Sequence, residues 1–319
     1  MKLMRLTTTF ALALFLILNS YAFAETRITY KSAKTSSSYY QMAVQIAEAI
    51  KAGTNGDIIA TVEESQGSVQ NVKEVLVRTG NYVFTTPPAL IKLAQTSKGK
   101  FEADNPEKYL NVRSLFPIPS LTMHFVVRTD SGIKSFSELA DKNILIGKGS
   151  FGAREAAKYF ELFGLEGKIK LANAELGSAV QALKNRQIDG FATSGSYPAP
   201  NVVEAAAGIG INLLSLSDEQ VKLTKRTRLL IPAGTYPGVD YPVTTTSLPV
   251  VAYATTEMAD DTAYQLTKAF WEQKEKMAQS NAWWGGVSTD MLSNIYGKLH
   301  PGALRYYQEK GVEIPEAIR

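Results

Sequence analysis

The chain has 319 residues, 34 of them basic and 30 acidic, with two histidines and no cysteine. The small positive excess is scattered, and its densest cluster, Lys222–Arg228, reads most simply as a solvated helix face, which argues against nucleic acid as a partner. Without cysteine there is no disulfide, thiol nucleophile, cysteine metal site or cysteine-borne lipid anchor.

Residues 1–24 read as a secretion leader. Lys2 and Arg5 form a basic start, Phe10 to Leu18 an apolar run, and Ala22-Phe23-Ala24 a small-residue cleavage pattern. The run is too short for a membrane span, and no other segment reaches the roughly 18 apolar residues a span needs. The mature chain is therefore expected to start at Glu25, exported and soluble, in a periplasm because no lipid anchor is available. Its length favours two domains.

Arg27–Ala33 reads as a strand and Tyr39–Lys51 as a helix with Ala43, Val44, Ile46, Ala47 and Ile50 on one stripe. Asp57–Glu64 reads as a strand, and Ser68–Arg78 as a helix with Val69, Val72, Val75 and Leu76 inward. Tyr82–Thr85 is a short strand running into Pro87-Pro88, which can open a helix but not sit inside one. Tyr109–Pro117 is extended and closes a first βα set. Leu121–Arg128 opens a second: a capping box at Ser135 and Glu138, a strand over Asn143–Ile146, and a helix over Phe151–Phe163 ending at Gly164. Strand Lys168–Ala172, helix Leu176–Arg186, strand Gly190–Thr193, helix Asn201–Ala207 and strand Asn212–Leu216 follow. Ser217 and Gln220 cap a helix over Val221–Leu229. Ile231–Thr246, with Pro232, Gly234, Pro237, Gly238 and Pro242, reads as punctuation. Ser247–Thr255 is a strand, Asp260–Gln279 a long helix, Trp283–Gly286 a break, and His300–Lys310 a last helix.

Repeated βα units imply parallel sheets with helices on both faces, whose ligands lie beyond the carboxyl ends of the strands. Those ends are small and polar here: Ala33–Ser38, Glu64–Ser68, Thr85–Pro87, Lys148–Gly152 and Ser194–Tyr197. Two of them, Thr35–Tyr40 and Gly147–Gly152, hand a strand to a helix through residues that leave backbone N–H groups open to an anion. A cleft between two lobes would collect Ser36, Ser37, Ser38, Tyr39, Gln66, Ser68, Asn71, Thr86, Ser150, Phe151, Gly152, Ala153, Arg154, Ser194 and Tyr197. Against ligand contact stand plain alternatives. One serine of the first loop is enough for an N-cap, Ser68 can cap its own helix, Asn71 can face solvent, and Arg154 can be a surface arginine. If Arg154 is in the site, its fork suits a carboxylate.

Catalysis finds little support. His124, between Met123 and Phe125 in a strand, reads as a satisfied semi-buried histidine, and His300 before Pro301 as structural. No histidine–carboxylate metal spacing, nucleotide-phosphate loop, dinucleotide fingerprint or nucleophile elbow occurs. Asp260-Asp261 reads as a capping pair. Trp271 shares a core stripe with Leu266 and Phe270, while Trp283 and Trp284 pin the C-terminal helices. No cofactor is expected.

The mature chain as a whole resembles the TAXI-type solute receptors of TRAP transporters. The resemblance rests on the loop before Tyr39-Tyr40, on Gly67-Ser68-Val69-Gln70-Asn71, and on Ser135–Lys142 followed by Asn143–Gly149. Further marks are Ala182-Leu183 with Gln187-Ile188-Asp189-Gly190-Phe191, Ile231-Pro232-Ala233-Gly234-Thr235-Tyr236, and His300-Pro301-Gly302-Ala303. It implies two Rossmann-like α/β lobes joined by hinge strands, the two-lobed periplasmic-binding-protein fold. The lobes would be 25–120 with 245–319, and 121–244. It also implies a small carboxylate, a dicarboxylate or an acidic amino acid such as glutamate or 2-oxoglutarate, delivered to a membrane permease driven by an ion gradient. By resemblance the contacts map to Ser37, Ser38 and Tyr39; to Ser68 and Asn71; and to Ser150, Phe151, Gly152 and Ala153. Two departures stand out. Serine replaces the usual glycine of the first loop, and Ser150-Phe151-Gly152-Ala153-Arg154 replaces a Gly-Ser-Gly-Thr run, so that either Arg154 meets a second carboxylate or Phe151 narrows the pocket. The rivals are the same fold serving an ABC importer or a sensor input domain, an exported enzyme, and an adhesive surface protein.

Overall fold

The computed structural model describes residues 25–35, 37–78, 80–148 and 150–319, the side chain of Phe151 excepted. The expected leader, Ser36 and Gly149 lie outside the described residues. Among those described, no helix is long and apolar enough to cross a membrane.

The first set runs β1 (Thr26–Lys31), α1 (Ser38–Gly53), β2 (Ile58–Glu63), α2 (Ser68–Lys73), β3 (Tyr82–Thr86) and α3 (Pro88–Gln95). β1 lies between β2 and β3 and is parallel to both. Its Ile28 and Tyr30 point to the core while Arg27 stays outside, the period of two that a half-buried strand requires. Then comes β4 (Val112–Arg128), 17 residues long. The second set is β5 (Asn143–Leu145), α4 (Phe151–Leu162), β6 (Lys170–Ala172), α5 (Ala179–Lys184), β7 (Gly190–Gly195), α6 (Pro200–Ile209), β8 (Ile211–Leu213), α7 (Asp218–Thr224) and β9 (Thr227–Ile231). The chain returns along β10 (Val243–Thr255) and ends with α8 (Asp260–Ser280), β11 (Lys298–Leu299) and α9 (Pro301–Glu309).

The strands follow the order β2-β1-β3-β10-β4-β7-β5-β6. β4 and β10 are antiparallel to each other and change neighbours part-way. β4 pairs with β10 up to Thr122 and with β7 from Thr122 on, while β10 pairs with β9 up to Ser247 and lies beside β4 and β3 after it. These two strands therefore thread both halves of a two-lobed α/β fold. Sequence reading split β4 at its prolines into Tyr109–Pro117 and Leu121–Arg128. The strand instead runs through, with a register shift between the Leu248–Leu121 and Val250–Ile118 pairs. Pro119 and Pro249 fall at this irregularity, where a residue without an N–H removes no ladder bond. The expected parallel sheets hold for the outer strands, and the crossing pair is the antiparallel exception.

Other expectations change as well. The helix from Ser217 stops at Thr224, with Lys225 in the left-handed region, and Thr227–Ile231 pairs with β10 as a strand. The punctuation of Ile231–Thr246 is bounded by strand at both ends. Lys222–Arg228 is thus not one solvated helix face, and Arg226 forks onto Glu155 of α4 with two 3.0 Å bonds. The helix from Ser68 tightens into a 3-10 turn at Glu74–Leu76, and the one from Leu176 begins as such a turn. Both capping boxes form as read.

The larger core gathers β1, β3, β4, β10, α1, α8 and α9. Phe116 and Phe270 stack at 4.0 Å between centroids, and the indole N–H groups of Trp283 and Trp284 donate to Gln45 Oε1 at 3.2 and 2.7 Å, tying the C-terminal segment to α1. A second core, from Val126 to Val243 in sequence, includes Leu145, Phe191, Val202, Leu213 and Tyr236.

Candidate functional site

The ends of β1, β2 and β3 are locked together by side chains. Buried Asn71 donates both amide hydrogens, to Ser32 O at 2.6 Å and Thr85 O at 2.8 Å. Ser65 Oγ adds a 3.0 Å bond to Ser32 O, and Thr85 Oγ1 meets Tyr30 Oη at 3.0 Å. Asn71 is thus a brace rather than a solvent-facing amide. Gly67, at φ 107°, takes the cap position of α2, a backbone state that glycine adopts without strain. Ser68 consequently does not cap, and its hydroxyl has no hydrogen-bond partner among the described residues.

The first loop behaves differently. Ser37 is the N-cap of α1, its Oγ accepting from Tyr39 N at 3.2 Å. Ser38 is buried, its Oγ accepting from Ser196 N at 3.4 Å across the molecule. The Tyr39 hydroxyl donates to Pro119 O at 2.8 Å, which leaves its ring as a wall. Burial holds the Tyr39 phenol well above its usual value, so it stays a neutral donor. Opposite, Ser150 caps α4: it donates to Gly147 O and accepts from Ala153 N, both at 2.9 Å. Gly152 lies so close to Ser194 of β7 that a Cβ would collide with it, and this brings the first turn of α4 onto the strand end.

A cavity of about 90 Å³ lies where these ends meet. Of the residues expected to contact a ligand, Ser37, Tyr39, Gln66, Ser68, Ser150, Gly152 and Ser194 line it. Ser38, Asn71, Thr86 and Ala153 are buried behind the lining; Thr85 takes the place expected of Thr86, one step along the same strand. Arg154 lies in the adjoining groove, which shares Gln66 and Ser68 with the cavity, and Tyr197 lines a different cavity. Sequence reasoning missed Leu121 and Val250 of the crossing strands, Leu176, and the pair Lys34 and Glu175, which meet as an ion pair at the rim. Only an alignment of strand ends in space joins residues 34 and 175; spacing along the chain carries no such signal. Lys148 is a second cation at the rim.

Neither histidine lines this cavity. His124 is buried, with Nδ1 3.2 Å from Thr122 O and Nε2 2.8 Å from the Tyr236 hydroxyl, as a satisfied core histidine should be. Burial lowers it to about 4, against the pull of the Thr122 carbonyl, so the imidazole is neutral.

Two lobes threaded by a pair of crossing strands, with a cavity among strand and helix ends, define the fold of periplasmic binding proteins. The periplasmic binding protein BugD is similar over 91% of this chain and 99% of its own, with a TM-score of 0.57 at 11% identity. A protein described as a periplasmic transporter gives 0.55 at 11% identity over 90% and 93%, and one from Bordetella bronchiseptica RB50 gives 0.51 at 14% over 90% and 98%. The NMT1-like family matches residues 31–311, and the chain belongs to that family.

Proposed function

We propose that this protein is a periplasmic solute receptor that closes over a small organic anion and hands it to a membrane permease. The observation that carries the reading is the placement of Ser68 and Ser194. Among the described residues their hydroxyls have no hydrogen-bond partner, and they line one cavity from α2 and from β7. Around them the first turns of α1 and α4 offer backbone N–H groups and the positive ends of two helix dipoles. Among the described lining residues, Lys34 and Lys148 stand at the rim against one carboxylate, Glu175. This environment favours a carboxylate over a cation.

The solute class is a C4–C6 dicarboxylate or an acidic amino acid. One carboxylate sits among the serines, and the other reaches past Ser68 to Arg154. The lobes are 25–120 with 245–319, and 121–244. The hinge is the stretch of β4 and β10 where both change neighbours. A ligand touching both sides favours the closed arrangement by its differential affinity. The partner is a TRAP permease, and the receptor is of the TAXI type, as the sequence resemblance implies. The test is a thermal-shift screen with succinate, 2-oxoglutarate and L-glutamate, followed by calorimetry. A selective shift with one diacid supports the reading, and no shift with any carboxylate or amino acid contradicts it.

A further inference from the structure

A second cavity, of about 360 Å³, lies on the other side of the crossing strands. Ser120 and Thr122 of β4 line it, whereas Leu121 between them lines the first cavity, as the alternation of a strand demands. The partition is thin. Tyr39 forms a wall of the first cavity while its hydroxyl bonds to Pro119, which lines the second; Ser38 accepts from the backbone of Ser196, which also lines the second.

The lining is uncharged: among the described residues it contains no Lys, Arg, His, Asp or Glu. Trp283, Tyr197 and Leu229 give apolar walls. The Trp283 indole N–H is already bonded to Gln45, so only the ring remains available. Among the described residues of the lining, one fully buried polar atom lacks a partner. Ser196 is 2% exposed, and its Oγ has no hydrogen-bond partner among the described residues. A buried hydroxyl without a partner carries a desolvation penalty that a ligand acceptor or donor would relieve. An ion here would find no opposite charge. An engineered apolar cavity of roughly 150 Å³ already takes a benzene ring, so size allows a ring here.

We propose that this cavity is a second binding site, for an uncharged ring-sized molecule that carries one hydroxyl or carbonyl group to pair with Ser196, and that its occupant biases the lobe arrangement. Its walls come from both cores: Trp283 belongs to the larger, and Tyr197 and Leu229 pack against the smaller. A molecule that fits the cavity in this arrangement, where Lys34 meets Glu175, stabilises this arrangement over any other. The site lies apart from the solute cavity and does not depend on the identity of the solute.

Phenol tests the site, with benzoate as the charged control. Gly286 lines the cavity and a Cβ there meets nothing within 4 Å, so Gly286→Leu adds bulk at the lining from a position with room for its Cβ. Saturable phenol binding by NMR titration is expected, with benzoate at least tenfold weaker, Ser196→Ala weakening phenol by about fivefold, and Gly286→Leu abolishing it. Spin labels at Val77→Cys and Leu171→Cys, both exposed positions, then report the lobes with no carboxylate present. Saturating phenol should shift the distance distribution in the parent and not in Gly286→Leu. Absence of saturable binding, benzoate binding as well as phenol, or binding unchanged in Gly286→Leu would overturn the site. Binding with no change in the distribution would overturn its coupling to the lobes.

Discussion

Serines that look alike in sequence do different work here, and substitution should separate them. Ser150 spends its hydroxyl on the α4 cap. Ser150→Ala is expected to lower stability by about 1 kcal/mol, read by urea unfolding. Ser68 and Ser194 have no such duty. Ser68→Ala and Ser194→Ala should leave the unliganded midpoint within experimental error and weaken solute binding about fivefold to twentyfold each, for hydrogen bonds to a charged group. If either variant lost stability but kept affinity, the hydroxyl would be structural. Arg154→Ala should weaken a diacid by about tenfold or more and a monocarboxylate little. Lys222→Ala, an exposed residue of α7, should change neither in calorimetry. That the small polar strand ends would come together was legible, and they line one cavity. Which serine caps and which stays available was not, because that turns on the φ of Gly67 and on close approaches such as Gly152 to Ser194.

Elements were legible where local physics decides them. The two capping boxes, Pro88 at the start of α3 and the stripe of α1 all fix their helices from within. β9 was not, because Arg228-Leu229-Leu230-Ile231 continues an apolar pattern compatible with a helix. It is strand because β10 offers it a ladder, a tertiary reason. The junction of α8 and α9 gives a sharp test. A Cβ on Gly302 would come within 2.7 Å of Tyr264 N and would collide with Asp260 O, both backbone atoms of α8. Gly302→Ala should therefore cost about 1–3 kcal/mol in denaturant unfolding, against a few tenths for an ordinary first-turn substitution. A neutral result would mean that the two helices do not pack this closely.

At the scale of the whole molecule, the histidines set an acid limit. Burial lowers His124 from its ordinary 6.5 to about 4, and it moves His300 the same way against the pull of Asp260. Between those values the unfolded chain binds more protons than the native one, so stability is complete above pH 6.5 and falls as pH drops. His124 alone contributes a loss of about 3 kcal/mol once pH reaches 4. His124→Gln should flatten the pH 4–6.5 slope of unfolding free energy, and an unchanged slope would contradict the buried neutral imidazole. The two-lobed plan was legible from the alternating βα order, and joining strands were expected from the family resemblance, but not which strands cross or where. Only the change of partners along β4 and β10, at Thr122 and Ser247, shows how the halves are joined. That crossing is where the proposed closure bends. The chain contains no native cysteine, so Val77→Cys and Leu171→Cys can be spin-labelled without background. Titrating this pair with L-glutamate, 2-oxoglutarate and succinate should give, for the diacid that raises the unfolding midpoint, a saturable collapse onto a single narrow distance population. A distribution unmoved by every carboxylate, in a protein that remains folded, would contradict capture by closure.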